Sequence, residues 1–203
     1  RYYQRAAELD PEDTWTWFFI GDLHVVAGDL TAALADYQRA GDLIERRLAD
    51  DPDNPDGLRD RSVSHNRIGD VLVAQGNGQG ALAAYREGLV IAEALAARDP
   101  TNTQWQQGLS VSFERIGDVL LAQGYGPEAL AAYRMGLAIR EALAAHDRAD
   151  TKWQRDLAVS HNKIGDVLLA RGDVPGALAA YRMSQEILEA LAARDPANTQ
   201  WQQ

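Results

Sequence analysis

The sequence predicts an all-α fold, a solenoid built from antiparallel helical hairpins. Two observations predict it: a set of marker residues that recurs every 48 residues, and apolar residues spaced three and four apart within each repeat. The triplet Ile-Gly-Asp begins at Ile20, Ile68, Ile116 and Ile164, and a Gly, an Ala and a Tyr follow each Ile after eight, thirteen and seventeen residues. One such repeat cannot bury its own apolar face, so we expect the repeats to stack.

The first helix of each repeat, called helix A, is clearest between Trp105 and Gln123. Its apolar residues include Leu109, Phe113 and Leu120. This three-and-four spacing places them on one face of an amphipathic helix. We therefore predict a helix A in every repeat.

A turn rich in glycine separates helix A from the second helix, called helix B. Pro127 suits the first turn of a new helix, because its missing N–H has no helical partner there. Helix B is predicted from about Glu128 to Ala145, with an apolar stripe that includes Tyr133 and Leu137. Asp99-Pro100 ends the equivalent helix B of the preceding repeat.

Small residues at fixed places indicate how the helices pack. The Gly of each triplet and the Ala thirteen residues after each Ile let two helix backbones approach closely. We expect the recurring Tyr to fill the space that remains between hairpins. Thr101, Asn102 or Thr103 can cap the next helix A.

The pattern Trp17-x-x-Ile20-Gly21-x-x-His24, followed by Ala33-x-x-x-Tyr37, resembles the signature of the tetratricopeptide repeat family. This resemblance implies a right-handed superhelical solenoid in which the helices A line a concave surface. Tyr3 and Tyr37 are 34 residues apart, the usual step of that family. The later units are 14 residues longer, similar in style to kinesin light chain repeats, so we expect helices of ~18–22 residues there.

We expect the whole chain to be a single repeat array, residues 1–203. Residues 1–12 resemble helix B of a preceding unit, and residues 197–203 resemble the start of a further one. The four units between them cover about 13–52, 53–100, 101–148 and 149–196. The chain begins with Arg in what resembles the middle of a helix, so we expect a piece of a longer protein, and its heavy use of Arg and Ala is typical of a bacterial source.

Composition disfavours several classes of function. The net charge is −10, so the surface should repel nucleic acid and anionic membranes. The absence of Cys removes disulfides and thiol chemistry, and no apolar run approaches the ~20 residues that span a bilayer. We expect a cytoplasmic protein that binds neither nucleic acid nor a membrane.

The triplet aspartates are the centre of a candidate peptide-binding site on the concave helix A surface. Residues three and four positions before each aspartate lie on the same helical face. The candidate residues are Phe18, Phe19, Asp22, Asn66, Arg67, Asp70, Glu114, Arg115, Asp118, Asn162, Lys163 and Asp166. Amides, carboxylates and guanidinium groups in register suit the backbone and charges of an extended peptide.

A structural role is the alternative for the same residues. Asp70 can pair with Arg115, and Asp118 with Lys163, across neighbouring hairpins. Such a ladder of ion pairs would set the register of the hairpins and would bind nothing. The sequence leaves both roles open.

We predict no catalytic residue, no metal and no cofactor. His65 and His161 occupy the position that Trp17 and Phe113 fill in other repeats, which indicates packing. The glycine-rich segment 76–80 lacks the Lys-Ser/Thr ending of a phosphate loop and falls where a turn is expected.

The sequence therefore predicts a scaffold without enzyme activity that binds another protein or an extended peptide. One alternative is self-association, because the ends of a cut array lack capping hairpins and can stack on other copies. A further alternative is the regulatory repeat region of a multidomain effector whose catalytic domain lies elsewhere.

Overall fold

The computed structural model describes residues 10–194, and these residues form eight α-helices and no strand. The helices are α1 (Thr14–Val26), α2 (Leu30–Asp50), α3 (Pro55–Ala74), α4 (Gly78–Arg98), α5 (Thr103–Ala122), α6 (Gly126–His146), α7 (Thr151–Ala170) and α8 (Val174–Arg194). The all-α prediction is confirmed for this part of the chain. Of the predicted helix B remnant at residues 1–12, residues 1–9 lie outside the described residues and residues 10–12 are not helical; the predicted further unit at 197–203 also lies outside the described residues.

Consecutive helices pair into four hairpins, α1–α2, α3–α4, α5–α6 and α7–α8. The chain divides into two compact units between Pro100 and Thr101, with two hairpins in each. In unit 1, α2 packs against α3, and in unit 2, α6 packs against α7. Helices α1, α3, α5 and α7 are therefore the helices A of the sequence repeat, and the other four are its helices B.

Each hairpin turns at a glycine with positive φ, a conformation that residues with a Cβ rarely adopt. The φ angles are 79° at Gly28, 76° at Gly76, 84° at Gly124 and 81° at Gly172. After Gly76, the Asn77 side chain accepts a hydrogen bond from the N–H of Gly80 and caps α4. The segment 76–80 thus contains the turn between α3 and α4, as predicted, and the first three residues of α4.

The helix lengths follow the sequence. Seven of the eight helices have 20 or 21 residues, within the predicted range, and α1 has 13. Asn102 caps α5 by accepting hydrogen bonds from the N–H groups of Gln104 and Trp105, and Pro127 lies in the first turn of α6. Among residues 10–194, no helix has the length and hydropathy needed to span a membrane.

The triplet glycine makes room for the recurring tyrosine. A Cβ added to Gly165 would lie 2.6–3.0 Å from ring carbons of Tyr181, and comparable contacts occur at the other three triplet glycines. The ring therefore fills the space between the two helices of one hairpin. The expectation that the ring lies between hairpins is therefore wrong: the short distance that needs a glycine is the one between helix A and its own helix B.

Candidate functional site

Each triplet aspartate accepts a hydrogen bond from the tyrosine fifteen residues later. The O···O distances are 2.6 Å for Tyr37–Asp22, 2.7 Å for Tyr85–Asp70, 2.6 Å for Tyr133–Asp118 and 2.7 Å for Tyr181–Asp166. The aspartate lies on helix A and the tyrosine on helix B, so the bond joins the two helices of a hairpin. Burial and the hydrogen bond to Asp118 raise the pKa of Tyr133 well above its ordinary value, and the hydroxyl remains a donor.

In unit 1, a cation from the second hairpin reaches the aspartate of the first. The Arg67 guanidinium donates to Asp22. The same guanidinium lies over the rings of Phe18 and Tyr37, 5.1 Å and 5.6 Å from their centroids. Phe18 is completely buried, which makes it a core residue and not part of an accessible surface.

In unit 2, Lys163 holds the equivalent position. Its Nζ lies 2.6 Å and 2.8 Å from the two oxygens of Asp118 and 3.1 Å from Oε1 of Glu114. Burial lowers the pKa of Lys163, but the hydrogen bond to Asp118 and the charge of Glu114 outweigh burial and raise it. The predicted pairing of Asp118 with Lys163 is therefore confirmed.

A buried arginine extends this ion-pair network. Arg140 is 7% exposed, and its guanidinium binds Glu114. Its Nη1 also donates to Ser160 Oγ at 2.7 Å and to the carbonyl oxygen of Asp156 at 3.3 Å. Burial raises the pKa of Glu114, but the charges of Arg140 and Lys163 together hold it below its ordinary value.

Sequence reasoning misses Arg140, although the sequence contains a signal for it. The same repeat position holds Ile44, Ala92, Arg140 and Leu188 in the four hairpins. A single charged residue in an otherwise apolar column of a helix B indicates a buried partner, because a buried charge needs a counter-charge. The tyrosine hydroxyls were missed as well, although the fifteen-residue interval from Asp to Tyr is constant.

All twelve candidate residues lie on the helices A. The structure joins Asp22 with Arg67 in unit 1, and Glu114, Asp118 and Lys163 in unit 2. Asn66 is buried at 9% exposure, although we had expected its amide on the surface. The remaining candidates are half-buried or exposed: Phe19, Asp70, Arg115, Asn162 and Asp166.

The histidines occupy packed or helix-end positions. His161 is 8% exposed, and burial lowers its pKa, which favours the neutral ring. His65 is half-buried, and its pKa is lowered in the same way. His24 lies 2.6 Å from a carboxylate oxygen of Asp36. The packing role predicted for His161 is thus confirmed.

No protein-family model and no curated protein sequence matches the chain. Several crystal structures nevertheless share its fold. BtubC (BKLC) from P. vanneervenii matches with a TM-score of 0.69 and 18% identity, over 88% of this chain and 64% of BtubC. The apo form of RapI matches with a TM-score of 0.67 and 15% identity, over 93% of this chain and 48% of RapI.

A third structure, MamA, matches with a TM-score of 0.59 and 14% identity, over 94% of this chain and 87% of MamA. The chain thus spans less than two thirds of the length of BtubC and RapI. At these identities the likeness shows the fold alone. The three proteins are built from tetratricopeptide-like helical repeats, and this chain has the same type of fold.

Proposed function

We propose that the chain is a scaffold that holds another protein or an extended peptide on its helices A, without chemical turnover. The observation that supports this proposal is the exposure of the triplet aspartates. The side chains of Asp22 and Asp118 remain 42% and 45% exposed, although each already binds a tyrosine hydroxyl and a cation. A carboxylate has about four acceptor sites, so each can still accept hydrogen bonds from a ligand.

The fixed position of these carboxylates favours binding. The Tyr133 hydroxyl and the Lys163 ammonium hold Asp118 from two sides. A side chain that is already ordered loses little conformational entropy when a ligand arrives, so less of the interaction energy is spent on ordering. The net charge of −10 favours a partner with basic side chains and N–H donors.

The proposed contact residues are fewer than the predicted ones. Phe18 and Asn66 are left out because they are buried, and the Glu114 carboxylate is already bound by Arg140 and Lys163. The contact residues we propose are Phe19, Asp22, Arg67 and Asp70 in unit 1, and Arg115, Asp118, Asn162, Lys163 and Asp166 in unit 2.

A peptide array tests this proposal directly. The fluorescently labelled chain is applied to immobilised extended peptides of basic, neutral and acidic composition. We expect binding to basic peptides, and at least about a tenfold loss when Asp22→Asn and Asp118→Asn are combined, because each Asn keeps the tyrosine's acceptor but loses the charge.

The matched control combines Glu93→Gln with Glu128→Gln, two exposed carboxylates on helices B. It makes the same change in net charge away from the proposed surface. Equal losses in the two double variants would show that only net charge matters, and the helix A assignment would then be wrong. Circular dichroism then checks that both variants remain helical.

Self-association is a second candidate, supported by one observation. Helix α1 exposes Trp15, Leu23 and Val26 at 37%, 49% and 87%. An apolar stripe of this kind on one helix is typical of a contact surface. Sedimentation velocity over a hundredfold range of concentration distinguishes the two functions, because only self-association predicts a mass that rises with concentration.

A further inference from the structure

The last described hairpin, α7–α8, exposes apolar residues whose counterparts in α5–α6 are more buried. Val159, Leu169 and Leu178 are 36%, 50% and 47% exposed. Forty-eight residues earlier, Val111 and Leu121 are half-buried and Leu130 is 3% exposed. Helix α7 packs on α6 and so covers the α5–α6 hairpin. The α7–α8 hairpin repeats the same apolar face, and among residues 10–194 no further helix packs on α8.

The same hairpin carries an aspartate, Asp166, whose counterparts in two other hairpins each bind a cation. Asp22 binds Arg67 and Asp118 binds Lys163, each a cation 45 residues further along the chain on the next helix A. Asp166 accepts a hydrogen bond from the hydroxyl of Tyr181, but no Arg or Lys of residues 10–194 forms an ion pair with it. The tyrosine therefore fixes a carboxylate in the position where the repeat binds a cation.

We propose that this edge, defined by Val159, Asp166, Leu169 and Leu178, is a docking surface for a basic amphipathic helix. The docked helix places an Arg or Lys on Asp166 and covers Leu169 and Leu178 with its apolar face. The docked helix must therefore supply a cation and an apolar face together, the cation binding Asp166 as Lys163 of α7 binds Asp118 of α5.

The sequence of α7 defines what such a helix must contain. Lys163 is followed at once by Ile164, and four positions later by Val167, which is completely buried. Helix α5 has the same arrangement in Arg115, Ile116 and Val119. The docked helix is thus of the α5 type, with a cation directly before an apolar residue and a second apolar residue three positions later.

Helix α1 of a second copy does not meet this requirement. Phe19 stands at the position of Lys163 in the repeat, so a copy stacked head to tail would leave Asp166 without a cation. Residues 195–203 repeat the sequence of 99–107, the segment that leads into α5, and differ only where Ala197 replaces Thr101. The sequence thus favours an α5-type helix over a second copy of α1.

An extended chain tests the docking surface. A copy of residues 108–146 is joined after Gln203, so that the segment 195–203 continues as a complete α5–α6 hairpin in repeat register. We expect the extension to be helical by circular dichroism and to raise the thermal midpoint. The Asp166→Asn change should then lower the midpoint of the extended chain by about 2–4 °C and leave that of the original chain nearly unchanged.

Two controls make the test specific. Replacing the copied Arg115 by Phe, the residue of α1, should cause the same loss as Asp166→Asn, and the two losses should not add. Glu93→Gln, an exposed change on α4, should shift both chains equally. An extension that stays unfolded, an unchanged midpoint, or equal effects of Asp166→Asn in both chains would overturn the proposal. The experiment contains no peptide ligand, so its result is independent of the proposed function.

Discussion

At the scale of single residues, three positions of the repeat depend on one another structurally. The glycine of the triplet leaves room for a tyrosine ring, the ring brings its hydroxyl to helix A, and the aspartate of the triplet accepts the hydrogen bond. Any larger residue at the glycine would push the ring away and lengthen that bond. The members of the triplet thus depend on one another, which is a structural reason for the triplet to recur.

Gly117→Ala should therefore destabilise the chain by about 1–3 kcal/mol, because the new Cβ overlaps the Tyr133 ring. Gly108→Ala on the same helix is the matched control, since nothing lies within 4 Å of its added Cβ. That change should stabilise by up to about 1 kcal/mol through helix propensity. Urea unfolding measures both, and a stabilising Gly117→Ala would refute the close packing described for the triplet.

The sequence predicted the triplet but not the surroundings of every residue in it. Phe18 shares its repeat position with Asn66, Glu114 and Asn162, and three polar residues out of four indicated a surface position. Phe18 packs in a core cluster with Tyr37 and Ile44, and Arg67 of the next hairpin lies over its ring. A contact between residues 49 positions apart cannot be derived from the periodicity of either helix.

At the scale of elements, the α5–α6 hairpin uses charge where the α1–α2 hairpin uses apolar packing. Phe18 and Ile44 are both completely buried, and Glu114 and Arg140 occupy the same two repeat positions in α5 and α6. An ion pair thus occupies the two repeat positions that hold an apolar pair in α1–α2. Removing one member of a buried pair is costly, whereas replacing both by apolar residues is often neutral or better.

A double-mutant cycle checks this equivalence. Arg140→Ile alone should destabilise by about 2–4 kcal/mol, because Glu114 then keeps only Lys163 as a partner. Adding Glu114→Phe should restore most of the loss, since the pair then matches Phe18 and Ile44. The free energy of unfolding in urea is the measurement. Losses that simply add would mean that the two positions do not form one packing unit.

The boundaries of the third hairpin followed from the sequence alone. Helix B of the third repeat was expected from about Glu128 to Ala145 and is observed as Gly126–His146. Glycine turns and Asn caps act locally, so their effect is visible in a short window of sequence. The Arg140 network joins three helices of unit 2, and local pattern contains no information about which helices meet.

At the scale of the whole molecule, acid should weaken folding in two stages. Burial lowers the pKa of His65 and His161 below the ordinary 6.5, so the unfolded chain binds their protons first as the pH falls. Their contribution to stability is complete above pH 6.5 and is lost progressively below it. Glu114, with its pKa held below 4.5, contributes fully above pH 4.5 and loses that contribution in stronger acid.

The first stage should disappear in a His65→Phe, His161→Phe double variant. Phe113 occupies this repeat position in the third hairpin, so the substitution fits the slot. Urea unfolding at pH 7.5 and pH 5.5 should show a smaller difference in the variant than in the original chain. His146→Gln is the control, because that ring is exposed at a helix end. An unchanged pH difference in the double variant would assign the first stage to other groups.

The spacing of the ion pairs also has a consequence for synthesis. The cations that join neighbouring hairpins, Arg67 and Lys163, reach aspartates only 45 residues behind them. A hairpin that has left the ribosome thus receives its electrostatic partner after roughly one further repeat has emerged, well before translation of a long array ends. Because each such contact joins neighbouring hairpins only, a growing array of this type can consolidate from its N-terminal side while the rest is still being made.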